Sequence, residues 1–158
     1  AYQQWNKAQM YYKNKAYEAA LEVYEPLYPL LKHKPEFLFE AAQSLSKTGQ
    51  YEKANEYLER AVLLSSDPML YYVMAKNEQC LGEYRQAEKH LLHAIDILPE
   101  RIYPYYLLMN LYTEPSYFQP AKLKMAIDSV LTKKPKVESS AIKEMKEKAR
   151  SMLNNTSI

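Results

Sequence analysis

Across residues 37–62, FLFEAAQSLSKTGQYEKANEYLERAV, apolar positions recur at intervals of three and four on both sides of a single glycine. That spacing puts one buried stripe on each of two α-helices, with a tight turn between them. Thirty-three residues after KTGQYEKANEYLERAV, the chain repeats the phrase as CLGEYRQAEKHLLHAI at 80–95. The register extends both ways. Tyr17, Tyr51 and Tyr84 keep it, as do Ala20, Ala54 and Ala87; Tyr24, Leu58 and Leu91; Leu27, Ala61 and Ala94; and Ala8, Ala42 and Ala75. A weaker fourth copy places Met109, Phe118, Ala121 and Met125 in the corresponding slots. A period of this length is the mark of a repeat architecture built from one supersecondary unit.

The two glycines of the chain, Gly49 and Gly82, sit where the first helix of a unit ends and a left-handed residue is needed. In the first unit Lys15 stands in that place, and the neighbouring Asn14 is expected to take the turn conformation instead. Pro35 and Pro68 are placed to open helices, where proline loses no hydrogen bond, and Pro99 closes the third unit. Pro26 and Pro29 are expected to bend or shorten the second helix of unit one. The fourth unit carries a longer, proline-bearing turn, TEPSYFQP. Beyond Pro135 an amphipathic segment puts Ile142, Met145, Ala149 and Met152/Leu153 on one side, with the final NNTSI expected to fray.

The period and the Gly-x-Tyr-x-x-Ala phrase resemble the tetratricopeptide repeat family over roughly residues 1–135. The resemblance implies an all-α fold, a right-handed α-solenoid of about four helical hairpins (1–34, 35–67, 68–101 and 102–135). A capping helix at about 138–154 would complete a single domain spanning 1–158. In that architecture the first helix of each unit lines a concave groove. The groove positions are then Tyr2, Trp5, Gln9 and Tyr12; Glu36, Phe39 and Gln43; Met69, Tyr72, Lys76 and Gln79; and Tyr103, Tyr106 and Asn110. Rings interleaved with amides suit a peptide or partner protein, and would also suit a sugar chain; the same rings could instead seal neighbouring units. Tetratricopeptide domains that grip a chaperone's C-terminal carboxylate carry Lys and Asn, then Asn, then Lys and Arg in the groove. Here those slots hold Trp5 and Gln9, then Glu40, then Met69 and Val73, so that activity is not expected.

A second resemblance is more particular. LYPLLKHKPEFLFEAAQSLSKTGQYEKANEYLERA (27–61) and RIYPYYLLMNLYTEP (101–115) look like the C-terminal repeat region of O-antigen ligase or polymerase family membrane proteins of Gram-negative bacteria. It implies a soluble appendage cut from a longer protein, tethered to a membrane domain and positioning or contacting surface polysaccharide. The start without Met, AYQQWNKAQMYY, already reads as helix and agrees with excision.

Composition narrows the chemistry. With two glycines there is no phosphate-cradling loop, so no nucleotide cofactor is expected. His90 and His93 lie three apart on a helix but no third ligand joins them, so no metal is expected and both read as surface residues. Cys80 has no partner for nucleophilic chemistry and reads as a buried or half-buried thiol. Glu52, Glu56 and Glu59 are spaced as a solvated helix face. Nothing converges on a reaction centre, so no catalytic residue and no enzyme are expected. Net charge is +2, but residues 122–150 hold nine Lys/Arg against four Asp/Glu. The aromatics lie elsewhere, which argues against nucleic acid. No stretch is long and apolar enough to span a bilayer. Oligomeric state and location are not written in the sequence.

Overall fold

The computed structural model describes residues 1–156, and among these there are nine α-helices, one short 3-10 turn and no strand. The chain divides into two compact units, Ala1–Gly82 and Glu83–Ile158.

In the first unit, α1 (Tyr2–Lys13), α2 (Tyr17–Leu31), α3 (Pro35–Lys47), α4 (Tyr51–Val62) and α5 (Met69–Cys80) each lie against the next. Helix α1 also touches α3, and α3 touches α5, so the first helices of successive hairpins form one layer. Close approach of the two layers depends on small residues: Ala8, Ala20, Ala42, Ala54 and Ala61 are fully buried. The aromatic centre is Phe37, set edge-on to Trp5 (5.8 Å between centroids) and to Tyr24 (5.5 Å).

Gly49 and Gly82 have φ of 85° and 76°, in the left-handed region. At Gly49 the C-cap is complete, with Gln50 N–H donating to Leu45 C=O (2.8 Å) and Gly49 N–H to Ser46 C=O (3.1 Å). The first turn repeats this pattern through Ala16 N–H to Tyr11 C=O (2.8 Å) and Lys15 N–H to Tyr12 C=O (3.0 Å). It is Lys15, not Asn14, that turns left-handed, with φ of 61°, whereas Asn14 has φ of −87°. The two cap bonds fix the position that must turn, and the residue there complies at a cost of about 1–2 kcal/mol. Lys15→Gly is therefore expected to stabilise the protein by up to about 1 kcal/mol. Gly49→Ala should destabilise it by about 1 kcal/mol through backbone strain alone, since a Cβ there meets nothing within 4 Å. Urea denaturation of the two variants reads both signs.

Pro26 and Pro29 do not shorten α2, which runs 15 residues through both. Both prolines are exposed, so water can take up the carbonyls of Glu22 and Glu25 that they leave unpaired. Buried Leu21, Tyr24, Leu27 and Leu31 hold the opposite face.

The second unit comprises α6 (Tyr84–Ile97), α7 (Tyr103–Tyr112), the 3-10 turn Pro115–Tyr117, α8 (Pro120–Thr132) and α9 (Ser140–Asn155). Met109 is fully buried as the repeat predicts, but Phe118, Ala121 and Met125 are exposed. The buried residues of α8 are Leu123, Ala126, Ile127 and Val130. The 3-10 turn lengthens the connection, so α8 begins two residues late and Leu123, Ile127 and Val130 take over the slots.

Helix α9 is capped by Ser139, whose Oγ accepts from Ile142 N–H (3.2 Å). It continues through Asn154 and Asn155, so the fraying expected of NNTSI does not start there; Ser157 and Ile158 lie outside the described residues. Ala149 is its buried contact, and Lys146 fastens it. The Lys146 ammonium donates to the carbonyls of Val130 (2.9 Å), Leu131 (3.1 Å) and Lys133 (2.9 Å), at the negative end of α8. Lys146→Met is expected to cost about 2 kcal/mol, as hydrogen bonds from a charged donor do. Faster amide exchange confined to α9 and the end of α8 would register it.

Candidate binding surface

The first-unit layer of α1 and α3 is joined by one carboxylate. Glu40, half-buried on α3, accepts from Trp5 Nε1 (2.8 Å), from Gln9 Nε2 (3.0 Å to Oε2) and from the Tyr24 hydroxyl (3.1 Å). Trp5 is thus buried with its indole N–H directed at Glu40, and Gln9 is half-buried beside it. These two form the wall of the surface. Tyr2 stands off it, 56% exposed, with its ring 5.9 Å from that of Trp5. Tyr12 is half-buried, edge-on to Tyr17 at 6.0 Å and hydrogen-bonded with Gln43 of α3. Burial and then the Glu40 charge raise the Tyr12 pKa, so the phenol stays neutral. Phe39 is half-buried against the core. On α5, Tyr72 is buried, whereas Lys76 and Met69 are exposed. The layer therefore brings Tyr2, Tyr12, Phe39 and Gln43 to an accessible face and withdraws Trp5 and Tyr72 from it.

Deeper in the same unit, Asn77 donates to Asn55 Oδ1 (2.8 Å) and Asn55 to the Met74 carbonyl (3.3 Å), two buried amides that tie α4 to α5.

In the second unit Tyr103 and Tyr106 stack at 6.4 Å on α7. Lys148 of α9 reaches over Tyr106 (5.5 Å) and donates to Asn110 Oδ1 (2.8 Å). Tyr106 and Asn110 are therefore partly covered by the chain's own cation. Elsewhere in the same unit, buried Glu88 of α6 accepts from Tyr112 (2.6 Å), Tyr117 (2.5 Å) and Lys122 Nζ (2.9 Å). Burial alone would raise the Glu88 pKa, but the three donors together hold it below the ordinary carboxylate value.

Sequence reasoning did not find these two carboxylate centres. Glu40 carries a faint signal, a lone charge between Phe37 and Ala42 in an otherwise apolar stretch. Glu88 carries none, since its donors lie 24, 29 and 34 residues away. The remaining candidates are accounted for simply. Cys80 is exposed rather than buried, because it is the last residue of α5; its thiol is hydrogen-bonded with Tyr51, which raises that phenol's pKa. On α6, His90 is half-exposed and His93 exposed. Among the described residues no group of three His, Cys, Asp or Glu could hold a metal ion, and no helix is long and apolar enough to cross a membrane.

The family model described as anaphase-promoting complex, cyclosome, subunit 3 matches residues 13–94, more than half of the chain. The chain belongs to this family of tetratricopeptide-type repeats. Solved tetratricopeptide-type structures superpose on it at low identity. A MamA segment from Desulfovibrio magneticus RS-1 is 18% identical over 97% of this chain and 94% of its own, with a TM-score of 0.72. The Yersinia enterocolitica type III secretion chaperone SycD, in complex with a peptide of the translocator YopD, is 17% identical over 95% of this chain and 92% of its own, with a TM-score of 0.57. A chain of the APC/C hetero-tetramer Cut9–Hcn1 is 13% identical over 92% of this chain, which spans only 29% of its length; its TM-score is 0.73. These likenesses establish the all-α tetratricopeptide fold. No curated protein sequence matches the chain. None of these findings supports the likeness to a polysaccharide ligase, a glycan partner or a membrane tether.

Proposed function

We propose that the chain is a non-catalytic scaffold that holds a peptide, or a segment of a partner protein, on the α1–α3 face of its first unit. The observation that carries this reading is the cross-bonding of α1 and α3 through Glu40, which preorganises an accessible row of Tyr2, Tyr12, Phe39 and Gln43. Preorganised rings with polar ends lose little entropy on binding and supply both apolar area and hydrogen bonds. The peptide-bound state of the SycD neighbour supports a peptide as the ligand class, as do the partnered subunits of the Cut9–Hcn1 assembly. In the second unit Tyr103, Tyr106 and Asn110 are the corresponding first-helix positions, and Lys148 adds a cation there. Catalysis is no part of the proposal: Glu40 and Glu88, the carboxylates best placed for chemistry, are both engaged by structural donors.

A peptide array probed with the full chain tests this, followed by calorimetry on the strongest binder. Tyr2→Ala with Tyr12→Ala is expected to weaken that binder at least tenfold, about 1.4 kcal/mol, with the helical circular dichroism unchanged. Equal affinity in the double variant would remove the α1–α3 face from consideration. Trp5 and Tyr72 are unsuitable for such a test, because both are buried and their loss would disturb the fold.

A further inference from the structure

The second unit contains a cavity of about 400 Å3 whose lining includes Tyr103 of α7 but neither Tyr106 nor Asn110. It is closed by three segments: residues 98–103 at the start of α7, residues 134–137 between α8 and α9, and the first turns of α9. Its apolar lining includes buried Ile102, half-buried Ile142 and Met145, and Val137, which is 75% exposed. Around these stand Arg101, Lys134 and Lys136, with Glu100 as the one acidic neighbour. Among the described residues the three cations are not engaged by any carboxylate.

A hollow of this size falls near the low end of ligand pockets, about 300–1,000 Å3. That is room for a large apolar side chain and its neighbour, but not for a helix. Burying such a side chain against Ile142 and Val137 would place its flanking residues among the cations. Carboxylates are the groups those flanks would carry, and complementary charge favours both encounter and register. The surrounding stretch, residues 122–150, has nine Lys/Arg against four Asp/Glu, so the attraction extends beyond the rim. A nucleic-acid backbone would satisfy the charges but leave the apolar lining unfilled.

We infer that this cavity is a second docking site, for an acidic peptide segment anchored by one large apolar residue.

The test uses the full chain and a fluorescein-labelled peptide, Asp-Glu-Asp-Leu-Phe-Asp-Glu-Asp, read by fluorescence anisotropy. Saturable binding with a dissociation constant below about 100 μM is expected. It should weaken at least tenfold in Lys134→Glu with Lys136→Glu, and again in Val137→Asp. Those positions lie in the α8–α9 connection, so circular dichroism should show the helices intact. Salt should also weaken it, because the contacts are exposed charges. Tyr2→Ala with Tyr12→Ala should leave this affinity unchanged, which separates the site from the first-unit face. The inference is overturned by the absence of saturable binding, or by equal binding of versions with Lys for the acids or Ser for Leu-Phe. It is also overturned if the cavity variants retain full affinity, if the Tyr2/Tyr12 variant loses it, or if phosphatidylserine vesicles displace the peptide from wild type and the cavity variants alike.

Discussion

Glu88→Ala is expected to destabilise the protein by about 1–3 kcal/mol, because the buried Tyr112 hydroxyl loses its acceptor while the half-exposed Lys122 passes to solvent. The carboxylate lies at the meeting point of α6, α7, the 3-10 turn and α8, and it accepts from Tyr112, Tyr117 and Lys122. Truncation leaves Tyr112, itself buried, with a hydroxyl that has lost its acceptor. Tyr112→Phe with Tyr117→Phe removes the donors instead and should cost less, because Lys122 can still neutralise the charge. The pH dependence has a definite sign. The folded-state pKa of Glu88 lies below its ordinary 4.5, so its contribution is complete above that value and fades as pH falls through the folded value. Glu88→Gln should therefore flatten part of the acid limb of the stability curve. Urea denaturation between about pH 3 and pH 7 measures both effects. An unchanged acid limb in the Gln variant would mean that the three donors do not favour the charged form.

What could be read from the sequence and what could not divide along a physical line. Helix positions and the Gly49 and Gly82 bends follow from local rules: a 3.6-residue stripe, a C-cap that wants a left-handed residue, prolines at helix starts. Those rules put helix starts at or beside Pro35 and Pro68 and left-handed residues at Gly49 and Gly82, where the structure has them. Departures arise where a neighbour overrides the local rule. Lys15 turns left-handed because two cap hydrogen bonds demand it at that position. Helix α2 passes through Pro26 and Pro29 because Leu21, Tyr24, Leu27 and Leu31 are held by the core on its other face. In the fourth unit a fixed period misplaced the second helix by two residues, since the 3-10 turn that delivers Tyr117 to Glu88 lengthens the connection. For the proposed binding surface, spacing selected first-helix positions but not the depth of each side chain. Trp5 and Tyr2 occupy one turn of α1, yet a carboxylate on another helix draws the first inward and leaves the second in solvent. Period alone carries no information on such a contact, which depends on a residue 35 positions away.

Phe37→Ala should cost about 3–5 kcal/mol, the usual range for deleting a buried ring. Phe37 is fully buried at the start of α3, with Trp5 of α1 on one edge and Tyr24 of α2 on the other. Two effects compound there. The lost ring takes its dispersion contacts with it, and the fully buried alanines of the same core, Ala8, Ala20 and Ala42, already hold the helices close and leave little freedom to collapse into the space. Trp5 and Tyr24 also direct their polar ends at the same oxygen of Glu40, so any inward drift of either ring to fill the void breaks a hydrogen bond. Core stability and the geometry of the proposed binding face are thus coupled through Phe37, although Phe37 itself reaches no ligand. Phe37→Leu, which refills most of the volume, should cost only about 1–2 kcal/mol. It should also preserve the Tyr2 and Tyr12 positions. The discriminating measurement is peptide affinity set beside urea stability for the two variants, at a temperature where both are folded. Loss of affinity in the Ala variant with recovery in the Leu variant is the expected pattern. Full affinity in a destabilised Phe37→Ala protein would show that the face is held independently of the core ring beneath it.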